Sequence, residues 1–134
     1  MDGSGNLYGA TTFGGEFGGG TVFELSPSNG GWAFSKLHDF VGIANGGPHG
    51  SLTIDAAGNL YGATYGDGLY EQGCVFELTF SNGQWNYIDL YDFTGGLDGG
   101  TPFDPLVLDS SGSLYGVANS GGANGLGVVW KITP

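Results

Sequence analysis

Apolar and polar positions alternate in short runs along this chain, and no segment carries a helical period. SLTID (51–55) and LVLD (106–109) switch type residue by residue, the period of a half-buried strand. TVFEL (21–25) and CVFEL (74–78) also read as strands, with Val and Leu expected on one face and Phe and Glu on the other. LYGAT, at 7–11 and again at 60–64, is shorter, and its glycine suits the close approach of a neighbouring backbone or ring. WAFSKLHDF (32–40) and WNYIDLYDF (85–93) set aromatics and leucine at alternating positions, as an outer strand does. Ala-Gly-Asn, Ser-Asn-Gly and Gly-Gly turn signals separate these runs at the spacing of an all-β domain.

The runs recur in order. DGSGNLYGAT, DAAGNLYGAT and DSSGSLYGVA open at Asp2, Asp55 and Asp109, offsets of 53 and 54 residues. The same offsets relate TVFELSPSNGGW (21–32), CVFELTFSNGQW (74–85) and VVWKITP (128–134). A period near fifty residues falls in the range of propeller blades rather than helical solenoids. With four strands per repeat, a to d, the chain holds b-c-d, a-b-c-d and a-b-c, ten strands or about 2.5 antiparallel blades. The single repeat domain then divides into a partial blade at 1–47, a full blade at 48–101 and a partial blade at 102–134. Closed propellers use roughly four to eight blades. Completion by oligomerisation is therefore expected, a homodimer ahead of a trimer. Met1 sits almost directly on the first motif, which suggests a piece of something longer.

Within each repeat the opening motif reads as the a–b hairpin. Asp55 ends strand a, 56–59 turn, and Leu60 begins strand b. An aspartate at the first turn position accepts N–H bonds from residues just ahead, and Gly58 supplies a positive φ. Asp2, Asp55 and Asp109 are thus expected as turn caps. Calcium is only weakly suggested, because it takes roughly six to eight oxygen ligands and one Asp per hairpin falls short.

Composition narrows the partners. Two basic residues stand against thirteen acidic ones, a formal net charge of −11. Nucleic acid needs clustered Lys and Arg, and anionic membrane surfaces attract the same residues, so neither is an expected partner. Thirty glycines without a strict period of three exclude both helices and collagen. Cys74 is the only cysteine, so no intrachain disulfide is possible. No 18-residue apolar run and no basic-then-apolar leader stands in the sequence, so a soluble chain without membrane insertion is expected.

DAAGNLYGAT, GTVFELSP (20–27) and LYDFTGGLDGGTPFDPLVLD (90–109) resemble the Gloeo-Verruco (GloVer) tandem repeat at several fixed offsets. The resemblance implies a bacterial protein, often secreted and surface-anchored, so an extracellular or cell-surface setting in the parent protein. It carries over no catalytic motif.

Residues that differ between copies are the candidates for chemistry, because architectural residues recur. By that filter His49 (matched by Phe103), Asp104 (by Gly50), Asp67 (by Gly14) and Glu16 (by Leu69) stand out, together with Asp98 in GGLDGG. Phe17, Tyr70 and Asn124 occupy one equivalent loop-tip position, and aromatic rings beside carboxylates suit sugar faces. His38 and His49 are too far apart in sequence, and too short of Cys or His partners, for a closed zinc site. His38 aligns with Tyr91 and reads as a plain strand residue; Cys74 reads as a small core residue; Trp32, Trp85 and Trp130 read mainly as core. No cofactor is implied, and no catalytic or metal-ligating residue. The leading expectation is a non-catalytic repeat module, structural or binding, with a glycan or protein ligand. The alternative is a glycan-active hydrolase or lyase using loop carboxylates, which needs two of them roughly 5–9 Å apart.

Overall fold

The computed structural model describes residues 1–41, 46–103 and 105–134. The described residues form eleven strands and no helix, hence none long and apolar enough to cross a membrane. β1 (Leu7–Thr11), β2 (Thr21–Ser28) and β3 (Gly31–Asp39) make a three-stranded antiparallel sheet in sequence order. β4 (Pro48–Ile54), β5 (Leu60–Thr64), β6 (Cys74–Ser81) and β7 (Gln84–Asp92) make a four-stranded one. In the third sheet β8 (Gly100–Pro102) and β9 (Val107–Leu108) both pair with β10 (Leu114–Ser120), which pairs with β11 (Val128–Ile132). The ten strands expected become eleven because the first strand of this sheet is split in two. Among the described residues no sheet closes on itself.

The hairpins joining β4 to β5 and their counterparts are built on one carboxylate each. Asp55 Oδ1 accepts the N–H groups of Ala57 and Asn59 at 2.9 Å, while Oδ2 accepts the Asn59 amide at 2.9 Å and the Tyr61 hydroxyl at 3.2 Å. Gly58, at φ 90°, sits in the five-residue connection between β4 and β5, in a backbone conformation that few side chains tolerate. Asp2 makes the same bonds to Ser4, Asn6 and Tyr8, and Asp109 bonds Ser111, Ser113 and Tyr115. Burial pushes the Asp55 carboxyl up, but the donors from Asn59, Tyr61 and Ala57 outweigh it and hold it below its ordinary value.

Register fixes which residues share a face. Tyr61 lies opposite Glu77, Gly62 opposite Phe76, and Ala63 opposite Val75. Val75 therefore shares a face with Glu77, and Phe76 with Leu78. This corrects the expected grouping of Val with Leu, since period two cannot place residues three apart on one side of a regular strand. Gly62 is small because the Phe76 ring lies across it: a Cβ there would collide with the ring and press on Leu52. Gly9 under Phe23 and Gly116 under Trp130 repeat the arrangement.

The sheets stack, and two hydrophobic clusters fill the spaces between them. Tyr8, Ala10, Val22, Leu37 and Phe40 of the first sheet region meet Leu60, Phe76, Leu78, Trp85 and Tyr87 of the second. The opposite face of the second sheet, with Tyr61, Ala63, Val75, Leu90 and Phe93, meets Leu106, Leu114, Ala118, Trp130 and Ile132 of the third. Side-chain bonds tie the layers, Thr12 Oγ1 donating to the Pro48 carbonyl at 3.1 Å and Thr53 Oγ1 to the Leu106 carbonyl at 2.6 Å. Trp32 is more than half exposed, unlike a core residue, because none of the described residues covers the outer face of the first sheet.

Gly62→Ala should destabilise the chain by about 1–3 kcal/mol in urea unfolding. Gly9→Ala should cost less, because the Phe23 ring can yield toward solvent. Asp55→Ala should cost about 1–2 kcal/mol by removing a charged acceptor of four bonds. It should also weaken the acid limb of stability. A carboxyl held below its ordinary 3.8 when folded contributes fully above that value and loses its contribution as pH falls through the folded value.

Candidate functional site

A cleft of about 500 Å³ opens between the first two sheets, lined by His38, Phe40 and Val41 on one side and Asp67, Leu69, Tyr87, Asp89 and Asp92 on the other. Its shape comes from a bulge. In β7 the pairing jumps from Val75 opposite Tyr91 to Phe76 opposite Asp89, leaving Leu90 as the extra residue. Leu90 turns into the core shared with the third sheet, and Asp89 and Asp92, three apart, come to lie on one face with Cys74. β3 carries the same bulge between Val22 and Phe23, and there the equivalent pair is Lys36 and Asp39, joined as an ion pair. Where the first sheet has a cation neutralising an aspartate, the second sets two aspartates together.

The electrostatics follow from that exchange. Lost hydration, then the charge of Asp92 and a hydrogen bond with it, push the Asp89 carboxyl up to about 6. His38 stacks on Tyr87 with ring centroids 4.2 Å apart and planes 12° from parallel. Burial lowers the His38 pKa, against the opposing charges of Asp39 and Asp67. Burial pushes the Cys74 thiol up to about 12, so at neutral pH it is a protonated core group and not a nucleophile. Cys74 Sγ lies 3.2 Å from Thr64 Oγ1 and 3.6 Å from the Tyr87 hydroxyl. Its sulfur and one oxygen each of Asp89 and Asp92 fall within 4.8 Å of one another. Those three residues could touch a small cation, but with the thiol protonated they offer fewer oxygens than a calcium site takes.

Of the residues that differ between repeats, Asp67 lines this cleft. Asp98 lies in a second cleft of about 310 Å³ between the second and third sheets, with Tyr91, Leu97 and Trp130. There its carboxylate accepts the Tyr91 hydroxyl at 3.0 Å and the Thr94 N–H at 2.9 Å, and the Thr94 hydroxyl also donates to it. Asp67 and Asp98 thus line separate clefts. His49 sits in an aromatic group with Phe103, centroids 4.8 Å apart, and Tyr65 at 5.4 Å. Glu16 is exposed and lies 3.4 Å from Lys36. Phe17 and Tyr70 are each more than half exposed at their loop tips, and Asn124 is exposed at the equivalent tip. Asp104 lies outside the described residues.

The model of the Gloeobacter/Verrucomicrobia repeat matches residues 1–134. The chain belongs to this repeat family. Neither a curated protein nor a solved structure matches it. As a Gloeobacter/Verrucomicrobia repeat protein it is a repeat module, and its copies diverge at Lys36 and Asp89, the change that makes the cleft acidic.

Stability between mildly acidic and neutral pH should report the Asp89 environment. The folded chain keeps the Asp89 proton up to about 6, whereas the unfolded chain releases it near 3.8. The folded state therefore binds more protons in that window, and this contribution is lost as pH rises through the folded value. His38 acts in the opposite sense, so the useful readout is the difference between wild type and Asp89→Asn. The variant should be the more stable at pH ~7, with the advantage vanishing by pH ~4, in urea midpoints taken across the range.

Proposed function

We propose that the chain is a non-catalytic module of β-propeller type, its sheets acting as blades, and that it binds a neutral glycan in the cleft between the first two sheets. The observation that carries this reading is the stacked His38–Tyr87 pair beside three carboxylates, those of Asp67, Asp89 and Asp92. A ring surface suits the C–H face of a sugar, and carboxylates accept its hydroxyl protons. The net charge of −11 disfavours anionic ligands. An extracellular or cell-surface setting for the parent protein accords with a glycan ligand.

A second reading, a glycan-active hydrolase or lyase, draws on one observation. Asp89, raised to about 6, would supply a proton in a cleft it shares with the side chains of Asp67 and Asp92, as general acid catalysis requires.

Calorimetric titration of neutral oligosaccharides separates the two. Binding without turnover, weakened roughly tenfold (about 1.4 kcal/mol) by His38→Ala, is the expected result. A panel with no binding would overturn the module reading. New reducing ends released by wild type, and lost in Asp89→Asn, would establish the enzyme instead.

A further inference from the structure

The two outermost faces of the stack are the two halves of an interface that the chain already makes twice. At both internal contacts, a face bearing tyrosine, a small residue and valine covers a face bearing glycine and an aromatic ring. Tyr8, Ala10 and Val22 cover the Gly62–Phe76 face; Tyr61, Ala63 and Val75 cover the Gly116–Trp130 face. Never does either kind of face meet its own kind. The first sheet ends on a glycine-and-ring face with Leu7, Gly9, Phe23, Leu25, Trp32 and Phe34, left uncovered among the described residues. The third ends on an uncovered face with Val107, Tyr115, Val117 and Val129.

Exposure marks both faces as unfilled joints. Val22 and Val75 are 0% exposed, whereas Val129 at the equivalent position is 79% exposed. Phe34, equivalent to the partly buried Tyr87, is 63% exposed. A groove of about 350 Å³ runs along the third sheet between Pro105, Val107, Tyr115, Val117 and Val129. The polar partners at these positions stay within their own sheet: the Tyr61 hydroxyl lies 3.0 Å from Glu77, and at the open face Lys131 takes that glutamate's place with Nζ 5.3 Å from the Tyr115 ring centroid. A sheet laid on this face therefore need not supply a charge to satisfy it.

We infer that the occupant of each open face is a second copy of this chain, joined head to tail, with the Val107–Val129 face of one copy on the Phe23–Phe34 face of the other. Two copies bring six sheets together, within the roughly four to eight of a closed ring, and use both open faces of each. This deepens the blade reading but fails separately from it, because glycan binding is read by titration and the joint by mass.

The test is sedimentation equilibrium on wild type, Val129→Glu and Phe34→Glu, with thermal melts to verify folding. Both substituted side chains are solvent-exposed, so the sheets themselves should survive the change. Wild type should sediment as two chains and each variant as one. An equimolar mixture of the variants should recover a two-chain species, because each contributes the face the other lacks. A wild-type mass of one chain or of three would overturn the inference. So would a two-chain mass for either folded variant alone, or a mixture that stays monomeric.

Discussion

Each sheet in this chain is apolar on both faces, and that is the constraint on which the rest depends. A two-sided sheet cannot satisfy itself; it needs a layer above and a layer below. The middle sheet has both, and its central residues Leu60, Val75, Phe76 and Leu78 are entirely removed from water. Glycine opposite an aromatic ring is what brings the layers close. With no side chain on Gly62, the Phe76 ring folds down over the neighbouring strand and offers a smooth surface to the Tyr8 and Val22 side of the first sheet. Any larger residue would lift the ring and the sheet with it.

Stacking positions the cleft but does not make it acidic. The bulge in β7 does that, by putting Asp89 and Asp92 on one face while Leu90 turns into the core. The same bulge in β3 produces a neutralised pair, Lys36 with Asp39. One architectural device, repeated, thus yields a salt bridge in one sheet and a close carboxylate pair in the next. Cys74 and Thr21 show the complementary pattern: both are buried at the start of the third strand of the repeat, and both serve packing and local hydrogen bonds.

The hairpins and the strand order were legible in the residues because both rest on local signals. Asp, Gly and Tyr at fixed spacing specify the turn, and alternation specifies the strand. What lay beyond reach was whatever the bulges control. WNYIDLYDF read with strict alternation puts Asp89 and Asp92 on opposite faces, so the carboxylate pair is invisible. His38 likewise reads as an ordinary strand residue until Tyr87 of the neighbouring sheet is known to lie against it. The signal that could have found the site was the exchange of Lys36 for Asp89 at equivalent positions. Divergence between copies pointed to Asp67 in the loops, but the outer strand carried the larger change.

Repetition and divergence therefore divide the labour along physical lines. Positions that recur satisfy requirements every layer shares: a carboxylate to gather four donors, a glycine to admit a ring, a valine to fill the gap between sheets. A change at such a position propagates into packing and is costly. Positions on the outer strand beyond the bulge face a cleft and only partly enter the core, so charge can change there without disturbing the stack. Replacing a lysine by an aspartate at that point reverses the local field and leaves every strand in place. A repeat protein can acquire a site at this seam between sheets more cheaply than anywhere else in its fold.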